Sequence, residues 1–488
     1  MAANWAVCAS KTEKNSISDM RKNEEITLRV TDLNNRGYGV GHLESAGSPD
    51  DGITVFVGGA VTGDLVRAKV IKVAKEYLVA RVEEILSPSP YRVENTCPAA
   101  GCGGCVSRGI TYAHERERKR DYVKAAFRKA GLPEAEVEEV RSTGKISRYR
   151  NKAEYPVCVD KNGNVQAGFY ATATHRVVPI ADCDLQPEAF GQIVRSLCDF
   201  CNAHGVSIYD EKTGKGLLRH FYLRTAQSGG IMVCLVVNGK KLPGEETLFG
   251  ELQKRFPQVV SLYLNENNEN TNVILGKNYR LLGGEPYLTD TLCGLRFQIA
   301  PGAFYQVNHD ACELLYGIAK EKAGLTGREL LLDLYCGIGT IGLSMSREAK
   351  EVLGIEVVKE AVDCANENAK RNGVDNAKFE VGDAGDPKNL LGWIAERQTD
   401  PKDTVVVIDP PRKGTTPALI RALAEAKIGK VVYVSCNPDT LARDCAIFKE
   451  QGYIIGTVTP VDLFPRTGHV ETVILLSRKS IDDFLESI

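Results

Sequence analysis

The chain has 488 residues, 43% hydrophobic and 25% charged, with a formal net charge of −2 at neutral pH. This is the composition of a soluble globular protein of about three domains. It excludes a global basic field, so any nucleic-acid site must be a local patch. No stretch is long and apolar enough to span a membrane, and the N-terminal MAANWAVCASKTEKN lacks the basic and apolar regions of a signal peptide. Fifteen cysteines in such a chain point to core, metal or catalytic roles in a reducing cytoplasm rather than to a disulfide framework.

Residues 1–23 are polar and aperiodic and read as a disordered tail. In residues 24–86, EITLRVTDL, ITVFVGGA, DLVRAKVIKVAK and EYLVARVEEIL are short, roughly alternating strands. Turn signals at 34–41 (NNRGYGVG), 48–52 and 63–64 separate them, which predicts a small OB-like β-barrel. Lys69, Lys72, Lys75 and Arg81 put positive charge on its later strands, either as a solvated face or as an oligonucleotide-binding one. A linker, SPSPY, closes the segment.

Cys97, Cys102 and Cys105 then fall close together among glycines that let the backbone wrap. Such a triplet is hard to explain as core and points to a thiolate-bound metal, an iron–sulfur cluster or zinc. Cys183, in the polar loop IADCDLQP, is the best fourth ligand. Cys198 and Cys201 instead fall on the apolar face of a predicted helix and read as core. Basic residues gather at 116–131 (Arg116, Arg118, Lys119, Arg120, Lys124, Arg128, Lys129) and at 145–152 (KISRYRNK). Each is either a solvated face or a phosphate-tracking surface. The strand-like runs and helices of residues 92–296 predict an α+β middle domain carrying the cysteine cluster.

From Phe297 strands and helices alternate, which predicts a Rossmann-like doubly wound α/β domain over 297–488. Its first strand runs into LLLDLYCGIGTIGL, where Gly337, Gly339 and Gly342 spell GxGxxG before a helix expected over 340–350. Glu356 ends the next strand. This pattern suits a dinucleotide or S-adenosylmethionine (SAM). Asp333, inside the first strand, favours a ligand with an amino group over a pyrophosphate, hence SAM. The third strand ends at Asp383 and the fourth at Asp409-Pro-Pro-Arg. The fifth ends at Ser-Cys436-Asn-Pro. A closing strand pair without a long helix between, over 453–462 and 469–476, carries His-Val-Glu471-Thr.

Asp409-Pro-Pro resembles the motif by which amino-group methyltransferases hold an exocyclic amine. Cys436 and Glu471 fit a different chemistry. Carbon 5 of uracil is too weak a nucleophile for a methyl sulfonium until a thiolate adds at C6, and a carboxylate must afterwards remove the C5 proton.

Taken together, LLDLYCGIGTIGL, IDPPRKG, VSCNPDTLARD and HVETV closely resemble the RNA uracil-5-methyltransferases, over nearly the whole chain from about residue 24. The resemblance implies a multidomain α/β protein, with an N-terminal TRAM barrel, a cluster-bearing middle domain and a class I SAM-dependent methyltransferase domain. It implies Cys436 as nucleophile and Glu471 as proton acceptor. It implies SAM contacts from Gln306, Tyr335, Glu356 and Asp409, with Asp383 near the adenine; the glycine-loop pattern itself adds Asp333, Gly337 and Gly339. It further implies a [4Fe–4S] cluster on Cys97, Cys102, Cys105 and Cys183. The first cysteine gap is one residue shorter than in the cluster-bearing ribosomal-RNA members. The implied substrate is RNA, 23S ribosomal RNA by analogy with transfer RNA as the alternative, acted on by a cytoplasmic monomer. Competing readings are an amino-group methyltransferase, a radical-SAM methylthiotransferase and a non-catalytic RNA-binding iron–sulfur protein.

Overall fold

The computed structural model describes residues 20–478, except 35, 46, 47, 100 and 398. Most of the expected N-terminal tail therefore lies outside the described residues. Two compact units form: one holds the chain up to residue 96 with 105–118 and 466–468, the other holds the remainder.

In the smaller unit, β1 (Glu25–Leu33), β2 (Tyr38–Ser45), β3 (Ser48–Gly58), β4 (Leu65–Val73) and β5 (Tyr77–Ser87) close a barrel in the order β1-β2-β3-β5-β4. Alternation does this: every second residue is buried over the first six positions of β1 and of β4, and Val30, Val55, Val57, Val66, Val70 and Leu78 fill the interior. Met20, within the expected tail, packs into the same core. The glycine-rich stretch expected to turn over 34–41 does so only in its first half, where the Gly37 N–H donates to the Asn34 carbonyl at 3.0 Å; from Tyr38 it is already β2. The glycines within β2 serve close packing, since a Cβ on Gly41 would sit 2.5 Å from the Arg29 carbonyl. Lys72, Lys75 and Arg81 are exposed on the outer face, Lys72 lying 5.9 Å from the centre of the Tyr77 ring.

Helix α1 (Tyr112–Lys129) carries the first basic run. Much of that charge is engaged internally. Within the smaller unit Arg118 pairs with Asp32, and within the larger the buried Lys119 meets Asp462 at 2.8 Å and Arg120 donates to the Val137 carbonyl. The second run behaves likewise: Arg148 forks onto Asp182, and Lys145 meets Asp310 at 3.3 Å. Neither run is simply a solvated cationic face.

The larger unit holds two main sheets. The first comprises β6 (Lys152–Val159), β7 (Val165–Tyr170), β8 (Val177–Pro179), β9 (Leu218–Thr225), β10 (Ile231–Val237), β11 (Val259–Glu266) and β12 (Asn278–Gly284), in the order β12-β11-β10-β9-β6-β7-β8. Helices α2 (Glu188–Ala203) and α3 (Glu245–Arg255) belong to it. Cys198 and Cys201 are buried on α2 in its core, as their helical spacing requires. A hairpin, β13 (Leu288–Leu292) with β14 (Leu295–Ile299), pairs Phe297 with Asp290. The change of character at Phe297 thus falls inside a hairpin.

After α4 (His309–Ala323) come β15 (Leu330–Leu334), α5 (Thr340–Met345), β16 (Glu351–Glu356), α6 (Lys359–Arg371), β17 (Ala377–Val381), α7 (Pro387–Arg397), β18 (Thr404–Ile408), α8 (Pro417–Glu425), β19 (Lys430–Ser435) and α9 (Pro438–Glu450). The chain closes with β20 (Tyr453–Ile455), β21 (Thr459–Val461) and β22 (Glu471–Arg478). The sheet order is β17-β16-β15-β18-β19-β22-β20, with β21 also on β22. Strands β15 to β19 are parallel, and β22 enters antiparallel beside β19. Residues 453–462, expected as one strand, form two. They part around Gly456, whose N–H donates to Leu475. Helix α5 is shorter than expected and gives way to a 3-10 turn at Ser346–Glu348, where the Ser346 hydroxyl donates to the Leu343 carbonyl.

Candidate active site

Beyond β15 the chain turns through Tyr335, Gly337 and Gly339, all left-handed, at φ 67°, 54° and 81°. Glycine adopts this region readily, whereas Tyr335 does so at a cost of about 1–3 kcal/mol. It is held there by its own N–H and that of Cys336, which both donate to the Ile355 carbonyl, and by its hydroxyl, 3.3 Å from that of Thr415. The Gly337 N–H donates to the Glu356 carboxylate at 3.2 Å, and Val358 N–H donates to the same group at 3.0 Å. Asp333 is fully buried. Its Oδ2 accepts from the Gly342 N–H at 2.7 Å, an approach that a side chain at position 342 would obstruct. Its Oδ1 is buried with no hydrogen-bond partner. Burial, then the charges of Asp409 and Glu356, push the Asp333 carboxyl up to about 7. An unsatisfied buried acceptor at a glycine loop suits a cationic amino group, so this loop fits the amino-acid end of SAM.

The remaining strand ends converge on the same edge. Asp383 lies just beyond β17 and accepts from Gly385 N–H at 2.8 Å. Asp409 lies just beyond β18, and burial pushes its carboxyl up to about 7. Gln306 is buried in the loop before α4, its carbonyl accepting from the Asn151 amide at 2.9 Å. Two residues earlier Phe304 is 69% exposed. The loop after Asp409 is tied to α9: Asp444 accepts from Thr415 N–H at 2.9 Å and from the Tyr433 hydroxyl at 2.7 Å.

Register brings Cys436 and Glu471 together. Ser435 and Thr472 are partners in the antiparallel β19–β22 ladder, and the Thr472 hydroxyl donates to the Ser435 carbonyl at 3.0 Å. Cys436 is the next residue on one strand and Glu471 on the other. Cys436 is half-buried and Glu471 is buried. Burial, then Glu471 and Asp409, push the Cys436 thiol up to about 11. Burial and Asp409 push the Glu471 carboxyl up to about 8. Arg412 opposes both shifts. Sequence reasoning gives Arg412 no role beside this pair, although its place directly after the two prolines of a strand-end motif is a usable signal. The Asn437 side chain donates to the Arg412 carbonyl at 3.0 Å, joining the two strand-end loops.

Cys97, Cys102, Cys105 and Cys183 are each half-buried. Thiols of this kind suit a cluster chemically, but among the described residues no group of three or more His, Cys, Asp or Glu side chains is arranged to hold a metal ion.

Similarity to known proteins agrees with this geometry. Residues 111–479 match the model of the tRNA (uracil-5-)-methyltransferase family, and residues 20–82 match the TRAM domain. The chain belongs to the tRNA (uracil-5-)-methyltransferase family. It is therefore a SAM-dependent RNA (uracil-5-)-methyltransferase with an N-terminal TRAM barrel. An uncharacterized RNA methyltransferase of Clostridium tetani is 41% identical over 94% of this chain and 97% of its own, and one of Halalkalibacterium halodurans is 38% identical over 94% and 98%. Among solved structures, the Pyrococcus abyssi tRNA (uracil-54, C5)-methyltransferase, in complex with S-adenosyl-L-homocysteine, is similar at a TM-score of 0.70 and 26% identity. That match covers 93% of this chain and 100% of the other. For this methyltransferase family, the dinucleotide reading of the glycine loop falls away. Among the described residues, no helix is long and apolar enough to cross a membrane.

Proposed function

We propose that the enzyme methylates C5 of a uridine in 23S ribosomal RNA through a covalent Cys436 adduct, with Glu471 as the base. The observation that carries this reading is the β19–β22 register, which makes Cys436 and Glu471 neighbours across the ladder at the carboxyl end of the sheet.

In this reading Gln306, Asp333, Tyr335, Gly337, Gly339, Glu356, Asp383 and Asp409 hold SAM, which supplies an electrophilic methyl group when bound. Asp333 takes the amino group on its unsatisfied oxygen. Glu356, already oriented by two backbone N–H groups, takes ribose hydroxyls. Phe304 offers an exposed ring for a base to stack on.

Cys436 rests as a thiol, and the Arg412 charge favours its thiolate. Once the thiol has released its proton to solvent, the sulfur bonds to C6 of the uracil, and the displaced electron pair moves toward O4. Carbon 5 then takes the methyl group. Glu471 accepts the C5 proton, and as the C5–C6 double bond re-forms the carbon–sulfur bond breaks and Cys436 leaves as a thiolate, which takes a proton back from solvent. A carboxylate whose affinity for a proton is raised by burial is the stronger base once ionised.

Transfer RNA is the second reading, favoured by the Pyrococcus abyssi neighbour, which acts on uracil-54 of tRNA. Incubation with SAM and unmodified 23S ribosomal and transfer RNA, then nucleoside mass spectrometry, decides between them. New 5-methyluridine in ribosomal RNA supports the proposal; 5-methyluridine confined to transfer RNA moves the target. Methyl on an exocyclic amine transfers the chemistry to Asp409-Pro-Pro.

A [4Fe–4S] cluster on Cys97, Cys102, Cys105 and Cys183 is a separate proposal, supported by the close grouping of the first three cysteines among glycines and by half-burial of the four thiols. Iron and acid-labile sulfide analysis of anaerobically purified protein tests it. The proposed division is a barrel over 24–86, a middle segment over 92–296 and a methyltransferase segment over 297–488, in a cytoplasmic monomer.

A further inference from the structure

The turn between β21 and β22 presents three consecutive carbonyls, and three side chains from distant parts of the chain capture them. Asn308 Nδ2 donates to Leu463 at 2.9 Å, Lys119 Nζ to Phe464 at 3.1 Å, and the Tyr149 hydroxyl to Pro465 at 2.8 Å. All three donors are buried. Lys119 also meets the Asp462 carboxylate at 2.8 Å, itself fully buried, while the Asp462 N–H donates to Arg141 at 2.9 Å. A buried lysine–carboxylate pair is a weak source of stability, because desolvation offsets most of the attraction. Placing one here, with two further buried donors on adjacent carbonyls, fixes the geometry of the turn.

That geometry reaches Glu471 directly. Val461, the residue before Asp462, is the register partner of Glu471 in the β21–β22 ladder. The Phe464 ring meets His469, two residues before Glu471, edge-on at 5.9 Å between centroids. A shift of the turn would move the β21 end of the ladder and the carboxylate opposite it.

We propose that Lys119, Tyr149 and Asn308 act as a bracket of positioning residues that sets the Glu471 carboxylate for removal of the C5 proton. The inference rests on the base role proposed for Glu471. None of the three touches the reacting atoms. Lys119 and Tyr149 come from the segment before the methyltransferase sheet, so that segment contributes to the proton-transfer step and not only to folding.

The test uses the full-length enzyme and unmodified bacterial RNA. Tyr149→Phe removes one captured carbonyl without changing charge or shape. Lys119→Met strands the Asp462 carboxylate, so it is combined with Asp462→Asn. Both variants should bind S-adenosylhomocysteine within about twofold of the parent in calorimetry. Both should lose about 10- to 100-fold in kcat with little change in KM for RNA, the scale of a misplaced catalytic group. Both should accumulate a slow-migrating RNA adduct, because attack proceeds and release stalls. Unchanged kcat in the folded double variant overturns the proposal, as does a loss of kcat without adduct. Glu471→Gln separates the two levels: if it accumulates no adduct, the base assignment fails; if it does while the bracket variants turn over normally, only the bracket fails.

Discussion

Ser435 and Thr472 face each other across the β19–β22 ladder, and the next residue on each strand is Cys436 on one and Glu471 on the other. The proposed nucleophile and the proposed base, 35 residues apart in sequence, are thereby brought side by side by backbone register.

Removing the sulfur tests the nucleophile. Cys436→Ala should lose turnover to below detection while binding S-adenosylhomocysteine as the parent does, because Cys436 lies outside the glycine loop. Methyl transfer from labelled SAM and calorimetry measure the two properties. Persistent turnover would favour an amine target held by Asp409-Pro-Pro.

Asp333 should matter to SAM and not to RNA. Its Oδ2 serves the Gly342 N–H, and its Oδ1 has no partner. Asp333→Asn can keep the first contact and loses the charge available to the second. Hydrogen bonds to charged groups contribute about 1.5–3 kcal/mol, so SAM affinity should fall about 10- to 150-fold. Equal weakening of SAM and RNA binding would argue that Asp333 is structural.

The pH dependence has a definite sign. Glu471 is pushed up to about 8 from an ordinary value of 4.5. Between those values the folded protein holds a proton that the unfolded chain has lost, so stability is highest at the acid end and declines as pH rises toward 8. Asp333 and Asp409, each pushed up to about 7 from 3.8, act in the same direction. Thermal melts should show the decline, and Glu471→Gln should flatten part of it. Over the same range kcat/KM should rise with pH as Glu471 ionises. A flat activity profile in a protein whose melts do shift would remove Glu471 as the base.

Much of the candidate site is legible in the sequence because the residues proposed for it lie at or near strand ends. Asp333, Glu356, Asp383, Asp409 and Cys436 emerge from noting the residue at or near the end of each apolar run, since parallel strands deliver their ends to one edge. Glu471 begins its strand instead, and it reaches that edge only because β22 runs antiparallel beside β19. Local pattern cannot show that pairing, and the motif resemblance supplies what periodicity cannot. The basic runs mislead for a related reason. Lys119 and Arg148 look like solvated charge until their distant partners Asp462 and Asp182 are known. Strand β2 resembles a turn in sequence because glycines that permit close strand packing have the same composition as glycines that permit a reversal.

The covalent step is central to this mechanism, and trapping it is the most direct measurement. Glu471→Gln enzyme, incubated with SAM and unmodified bacterial RNA, is resolved on a denaturing gel beside the Cys436→Ala/Glu471→Gln double variant. The mechanism predicts a slow-migrating protein–RNA band in the single variant and none in the double, with release slowed by about 10²- to 10⁴-fold, the usual contribution of a general base. A band that survives loss of Cys436, or no band while 5-methyluridine still forms at the parent rate, would contradict it.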